Sequence, residues 1–301
     1  MAQAQKLVVA YVPNWNDVDT LMGKVDFSKL THIDVAFENP IDDEGNLSFN
    51  PKDAAVVEKS HAKGVKVLIS IGGGGAAENK TLQARYFALQ SDEKRAGFVA
   101  KLAAFVNDHN FDGLDVDLEG PSIGKDYGPF VSDLSKALQA NGKLITAAVS
   151  QGYGGDKIPN SVLDQFSFVN VMAYDGTGPW NKDRPGQHSS MEYTKANVDY
   201  WVGRGLPKSK TVVGVPFYGY GFGDAYRNGD YSFSEIVTTF PGAENQDQIG
   251  STIWYNGIPT IKAKAKYVVD EGLGGVMIWS LDADAPAPKS LLDAIWDGLH
   301  S

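Results

Sequence analysis

The stretch FDGLDVDLEG, Phe111 to Gly120, sets four acidic residues among apolar residues and glycine. Read as a strand, it places Asp115, Asp117 and Glu119 on one face and Leu114, Val116 and Leu118 on the other. Residues two apart on a strand are separated by roughly 6.6 Å, so three carboxylates in a poorly solvated site would repel one another and shift one another's pKa. Two plainer readings compete: an edge strand with a solvated acidic face, and a calcium loop. Against calcium, the internal turn glycine is missing, and the β-formers Val116 and Leu118 stand between the acids.

Outward from this run, short β-branched or aromatic runs alternate with amphipathic stretches along the whole chain. Strands are predicted at Leu7 to Val12, His32 to Glu38, Lys66 to Gly72, Gly113 to Glu119, Leu144 to Ser150, Phe168 to Tyr174, Thr211 to Tyr218 and Gly275 to Leu281. Helices are predicted at Asp53 to Lys63, Asp92 to Asn107, Gly128 to Ala140, Glu192 to Arg204, Pro259 to Glu271 and Lys289 to Leu299. The alternation predicts an α/β fold, a TIM (β/α)8 barrel forming a single domain over residues 1–301, with 219–257 as a short insertion or loop region after the seventh strand. A doubly wound sheet would want a glycine-rich phosphate turn after the first strand, and Val12-Pro13-Asn14-Trp15 is not one. In a barrel the strand C-termini carry the site, which puts Glu119 at the mouth and Asp117 and Asp115 below it.

Composition narrows the function. The 301 residues are 43% hydrophobic and 21% charged, as in an ordinary folded globular protein. With 27 basic against 37 acidic residues the formal charge is −10, and no Lys/Arg cluster tracks phosphates, so no nucleic-acid partner is expected. The absence of cysteine excludes disulfides and thiolate chemistry. No apolar stretch approaches the roughly 20 residues of a bilayer span, so no membrane partner is expected, and MAQAQKLV lacks a signal-peptide hydrophobic region. No metal is expected, since no H-E-x-x-H or comparable ligand set exists; His188 reads as a loop hydrogen bonder. Gly72 to Gly75 lack the lysine of a phosphate loop and read as close backbone packing.

The pattern D-G-x-D-x-D-x-E, here Asp112, Gly113, Asp115, Asp117 and Glu119, resembles the strand-four signature of family 18 glycoside hydrolases, the chitinases and their relatives. Ser70-Ile71-Gly72-Gly73 is similar to that family's strand-three motif, Met172-Ala173-Tyr174-Asp175 to its strand-six motif, and Trp279 to its strand-eight tryptophan. Tyr11 and Gly214 to Gly219 are weaker matches. The resemblance implies a chitinase acting on β-1,4-linked N-acetylglucosamine by a retaining, substrate-assisted route through an oxazolinium intermediate. It implies Glu119 as general acid and then base, Asp117 as holder of the acetamido N–H, sharing a proton with Asp115, and Tyr174 as donor to the acetamido oxygen. Tyr11, Asp175, Trp279, Ser70, Gly73, Met172, Tyr218 and Trp180 are the expected substrate-binding residues, with Ser70 also able to orient Asp115; Trp15 and Trp254 are further candidates for stacking on sugar.

Two other members of the resembling group remain: an endo-β-N-acetylglucosaminidase acting on N-glycans, and a catalytically weak chitin-binding lectin. The lectin reading predicts loss of the acid, yet Glu119 is present; the endoglycosidases often carry a glutamine-containing strand-six motif, which Met172-Ala173-Tyr174-Asp175 is not. The partner expected is chitin or a chitooligosaccharide, with no cofactor. The protein is expected as a secreted or periplasmic monomer whose signal peptide is not in this chain. The 219–257 region, fewer than forty residues, is too short for the family's full α+β insertion and predicts a shallow, open groove.

Overall fold

Parallel strands follow one another around a closed barrel in the computed structural model, which describes residues 5–301. Met1 to Ala4, part of the stretch read above for a signal segment, lie outside the described residues. The first seven barrel strands are β1 (Leu7–Pro13), β2 (His32–Ala36), β3 (Lys66–Gly72), β4 (Gly113–Asp117), β5 (Leu144–Val149), β6 (Phe168–Val171) and β7 (Thr211–Pro216). Four short strands follow outside the barrel: β8 (Tyr218–Gly221), β9 (Tyr231–Ser232), β10 (Gln248–Ile249) and β11 (Ile253–Trp254). The last strand, β12 (Gly275–Trp279), pairs with both β7 and β1 and closes the ring. The expected α/β (β/α)8 barrel is present.

Strand alternation separates two apolar regions. Leu114, Val116 and Leu118 point outward and pack with helical residues such as Phe98, Leu102, Phe130 and Leu134. Val9, Tyr11, Phe168, Met172, Val212 and Met277 belong to a second cluster, inside the barrel. Predicted strand ends run too long: β4 stops at Asp117 and β6 at Val171. Glu119 keeps extended backbone (φ −124°, ψ 153°), so it stays on the Asp117 side although it is past the ladder. The six predicted helices occur within a few residues of their expected bounds. Four more, Val18–Met22, Gly73–Glu78, Lys80–Gln90 and Phe233–Thr239, were not predicted; Lys80–Gln90 turns Gln83 and Gln90 inward alongside Tyr86 and Leu89, which blurs its apolar period.

Pro216 ends β7 because it has no N–H to continue a ladder. The chain then leaves the barrel. The region expected as a short insertion or loop folds into a four-stranded sheet, ordered β10-β11-β8-β9, with a helix at Phe233–Thr239 capped by Ser232.

Gly113 explains the glycine within the acidic motif. A Cβ there would lie 2.4 Å from the Leu144 carbonyl oxygen and 2.8 Å from Leu144 Cβ on the neighbouring strand. Gly113→Ala should therefore cost about 1–3 kcal/mol through overpacking, read as a lower urea midpoint with unchanged slope. A loss below about 0.5 kcal/mol would show that β4 and β5 can part to admit a methyl group.

Candidate active site

Inside the barrel, register decides which side chains meet. Ser70, Asp115 and Thr146 are paired across β3, β4 and β5, so their side chains sit at one level of the lumen. Asp115 is fully buried and accepts hydrogen bonds from three hydroxyls: Tyr11 at 2.7 Å, Ser70 at 2.7 Å and Thr146 at 2.6 Å. Burial pushes its pKa up while the three donors pull it down. Beside it lies Asp34 of β2, also fully buried, with one oxygen accepting from Asn170 at 3.1 Å and the other unpartnered. Burial and the Asp115 charge hold Asp34 well above the usual carboxylate range. Asn170 also donates to the Tyr11 hydroxyl at 3.3 Å, tying the two groups together.

Asp117 is 3% exposed and its Oδ1 has no partner. Burial, then the charges of Glu119, Asp115 and Asp34, push its pKa well up. Asp115 accepts from hydroxyls through both of its oxygens, and its charge acts on Asp117 through space. Glu119, one step nearer the mouth, is pushed up to about 7, chiefly by burial and secondarily by Asp175. Its backbone is fixed by Ser122, whose hydroxyl accepts from the Glu119 N–H at 2.8 Å and donates to the Glu119 carbonyl at 2.7 Å.

Asp175 faces this acid from the end of β6. It takes left-handed backbone (φ 61°), which aspartate tolerates better than most residues. The Tyr218 and Tyr220 hydroxyls both donate to its Oδ1, at 2.5 and 2.9 Å. His188 is buried behind it: Nδ1 accepts from the Asp175 N–H at 3.3 Å and Nε2 donates to the Tyr218 carbonyl at 3.3 Å, which assigns the tautomer. Tyr174 lies between, with Met277 Sδ 3.9 Å from its hydroxyl.

Asp175, Trp180, Tyr218, Tyr220, Tyr226, Asp230 and Trp279 line a cleft of about 550 Å³. The small sheet thus supplies a wall, and Lys182 stands over the Tyr226 ring at 4.1 Å, joining that wall to the loop after β6. Opposite, the rings of Trp279 and Phe37 stack at 5.8 Å, and those of Phe37 and Trp15 at 6.1 Å, forming a rail that leads out of the barrel. Trp15 is 58% exposed and Trp180 63%.

Several expected substrate-binding residues sit beneath the cleft surface. Tyr11 and Ser70 are buried, with their hydroxyls engaged by Asp115, so they orient that carboxyl. Met172 is buried in the lumen cluster. Gly73 is buried with φ 69°, and a Cβ there would lie 2.4 Å from the Phe37 ring, so it makes room for the rail. Trp254 packs edge-on against Phe222 on β11. Asp112 bonds His61 and the Val67 N–H at 2.7 Å each, away from the ladder. The sequence reading missed Asp34, Thr146, Asn170, Phe37 and Tyr220. A polar residue inside the apolar runs of β2, β5 and β6 was the available signal for the first three.

The carboxyl ladder, the Asp175 clamp and the aromatic cleft coincide with the model of "Glycosyl hydrolases family 18", which matches residues 7–284. The chain belongs to glycosyl hydrolases family 18. It is therefore a glycoside hydrolase. Among solved structures it is similar to the GH18 chitinase ChiB from the chitin utilization locus of Flavobacterium johnsoniae, with a TM-score of 0.91 and 37% identity over 98% of this chain and 94% of that one. It is 28% identical over 92% of its length to "Probable chitinase 10" of Drosophila melanogaster, of which it spans 15%. To a "chitinase-like effector" of Moniliophthora roreri it is 30% identical over 81% of its length, spanning 66% of that relative. No helix among the described residues is long and apolar enough to cross a membrane.

The family's lumen carboxyls tie stability to pH. Asp34 has a raised folded pKa, so its protonated form is favoured in the fold; this stability is complete below the unfolded value near 3.8 and is lost as pH rises toward the folded value. Asp34→Asn removes the titration and keeps the shape. Chemical denaturation at pH 5 and pH 8 should show a smaller drop in stability for the variant than for the wild type, and equal drops would place the pH dependence elsewhere.

Proposed function

We propose that the protein is a chitinase, hydrolysing β-1,4-linked N-acetylglucosamine polymers or oligomers with retention of configuration. The carrying observation is that Asp117 and Glu119 lie on one face of one strand run. Two carboxyls on one side cannot attack the far face of a sugar ring and protonate the leaving oxygen as the usual pair does. The substrate's own acetamido oxygen takes the nucleophile's place.

In this reading Glu119, with its pKa pushed up to about 7, carries a proton at neutral pH and delivers it to the glycosidic oxygen. The resulting carboxylate then takes a proton from water. Asp117, with an unpartnered oxygen, accepts the acetamido N–H and faces the oxazolinium cation. Tyr174 donates to the acetamido oxygen, and Trp279 provides the floor under the ring. Tyr218 and Tyr220 hold Asp175 ready for a sugar hydroxyl. The neighbour from a chitin utilization locus supports the substrate class, and a polymeric substrate fits action in the periplasm or outside the cell.

Glu119→Gln should lower turnover at least a hundredfold while chitooligosaccharide binding persists, because the amide keeps the shape without the proton. Residual activity above about a hundredth of wild type would reassign the acid. Proton NMR of fresh product should show the β anomer first; initial α product would overturn the substrate-assisted route. Asp175 raises the Glu119 pKa, so Asp175→Asn should move the alkaline limb of the kcat profile to lower pH. A limb that stays in place would show that burial alone sets the acid's pKa.

A further inference from the structure

Behind the aromatic rail lies a second buried carboxyl pair that the chemistry above does not use. Glu38 follows Phe37 at the end of β2, and Asp53 sits in the first turn of the helix Pro51–His61; they are 2% and 0% exposed. Asn14, immediately before Trp15, places its amide between them, 3.2 Å from Glu38 Oε1 and 3.1 Å from Asp53 Oδ1. Glu38 also accepts from the Asn50 N–H at 2.6 Å and from the Ser48 hydroxyl. Asn50 in turn donates to the Asn14 carbonyl at 2.9 Å. The cluster thus joins the backbone positions next to the two outer rings of the rail.

We propose that Glu38, Asp53 and Asn14 form a clasp, joined through the Asn14 amide that bonds both carboxyls, that positions Trp15 and Phe37 for the distal sugars of a long chain. The inference rests on the chitooligosaccharide reading of the cleft and makes these three positioning residues, acting through the rail. No lysine, arginine or histidine among the described residues bonds either carboxyl of the pair. Nearby, Lys52 donates to the Asn16 carbonyl at 2.9 Å, and Tyr86 of the helix Lys80–Gln90 donates to Asn39 at 2.5 Å. Asp17 bonds Thr20, while Asp42, Asp43 and Glu44 lie on the outer loop with partners of their own or none. None of these bonds either carboxyl among the described residues. Asp53 is pushed up to about 8, first by burial and then by Glu38. Below that pH Asp53 carries a proton; above it the Asp53 charge stands beside Glu38 across the Asn14 amide, and repulsion opens the clasp.

The test compares chitohexaose with a chitobioside carrying a fluorogenic leaving group, from pH 6 to 9. In wild type the KM for chitohexaose should rise about tenfold above pH 8 as the stacking contacts loosen, with the short substrate's KM changing less than about twofold. Asp53→Asn keeps the hydrogen bonds without a titrating group and should abolish this difference. Asp53→Ala should show the raised chitohexaose KM already at pH 6, with kcat on the short substrate retained. Equal changes for both substrates, or an Asp53→Asn enzyme that still loses long-chain affinity, would overturn the clasp. Iodide quenching of tryptophan fluorescence reads the rail without any sugar. Quenching should increase from pH 7 to 9 in wild type and not in Asp53→Asn or Trp15→Phe; no increase in wild type overturns the clasp. Wild type that cuts neither substrate but shows this quenching change would instead fail the chitinase reading and leave the clasp standing.

Discussion

The barrel lumen holds Asp34, Asp115, Asp117 and Glu119 with no lysine or arginine bonded to any of them among the described residues. Burying carboxylates without cations is costly, and two means are used to meet the cost. All four have pKa values raised toward the protonated form, and Asp115 also gains three hydroxyl donors that offset part of its shift. An arginine would have stabilised the same burial more directly, but it would have pulled Glu119 down and removed the proton that an acid must deliver. Hydroxyls support one charge without neutralising the field that the others feel. The remaining geometry follows from this choice: Tyr11, Ser70 and Thr146 must reach one carboxyl, so β1, β3 and β5 must present them at the height of β4's Asp115.

The same logic recurs at the mouth and differs in its purpose. Asp175 is also served by hydroxyls, from Tyr218 and Tyr220, but it stands on a loop after β6 in place of a strand. Its backbone needs a left-handed turn and a buried histidine behind it. Ser189 carries this support further, donating to the Ala173 carbonyl at 2.6 Å while buried Lys264 donates to its hydroxyl at 2.7 Å. Burial pushes Lys264 down to about 7, and its bonds to Ser189 and Asn256 offset part of that cost. A loop residue is thereby held almost as firmly as a strand residue.

How much of this was legible in the sequence depended on whether a contact was local. Period-2 alternation within residues 113–119 gave the ladder correctly, because side-chain direction along one strand needs no partner. Strand ends were overrun, since Glu38, Glu119 and Tyr174 continue the apolar alternation after the ladder has stopped. Asp34 and Asn170 meet Asp115 and Tyr11 only through register across distant strands, so their sequence neighbours gave no hint of the meeting. Tyr11 and Ser70 carried the right hydroxyls, but whether those would face sugar or Asp115 was decided by depth in the barrel. The small sheet was unreadable for another reason: strands of two residues, β9 to β11, are too short to show a period.

On the proposed mechanism, the uncompensated carboxyls also select the transition state. A chitin chain is neutral, so the formal charge of −10 neither draws it in nor repels it. As the glycosidic bond breaks, positive charge develops on the sugar and its acetamido group, beside Asp117, and favours the ionised form of that carboxyl. The attraction thus grows only as the reaction proceeds, which is the condition for an interaction to raise kcat in place of tightening ground-state binding. Ground-state affinity must then come from uncharged surfaces, and those on either side of the acid are aromatic: Trp279, Phe37 and Trp15 along one side, Trp180 and Tyr220 along the other. Stacking on rings is blind to charge, and the lumen is blind to the neutral parts of the chain. The division lets each be set without disturbing the other.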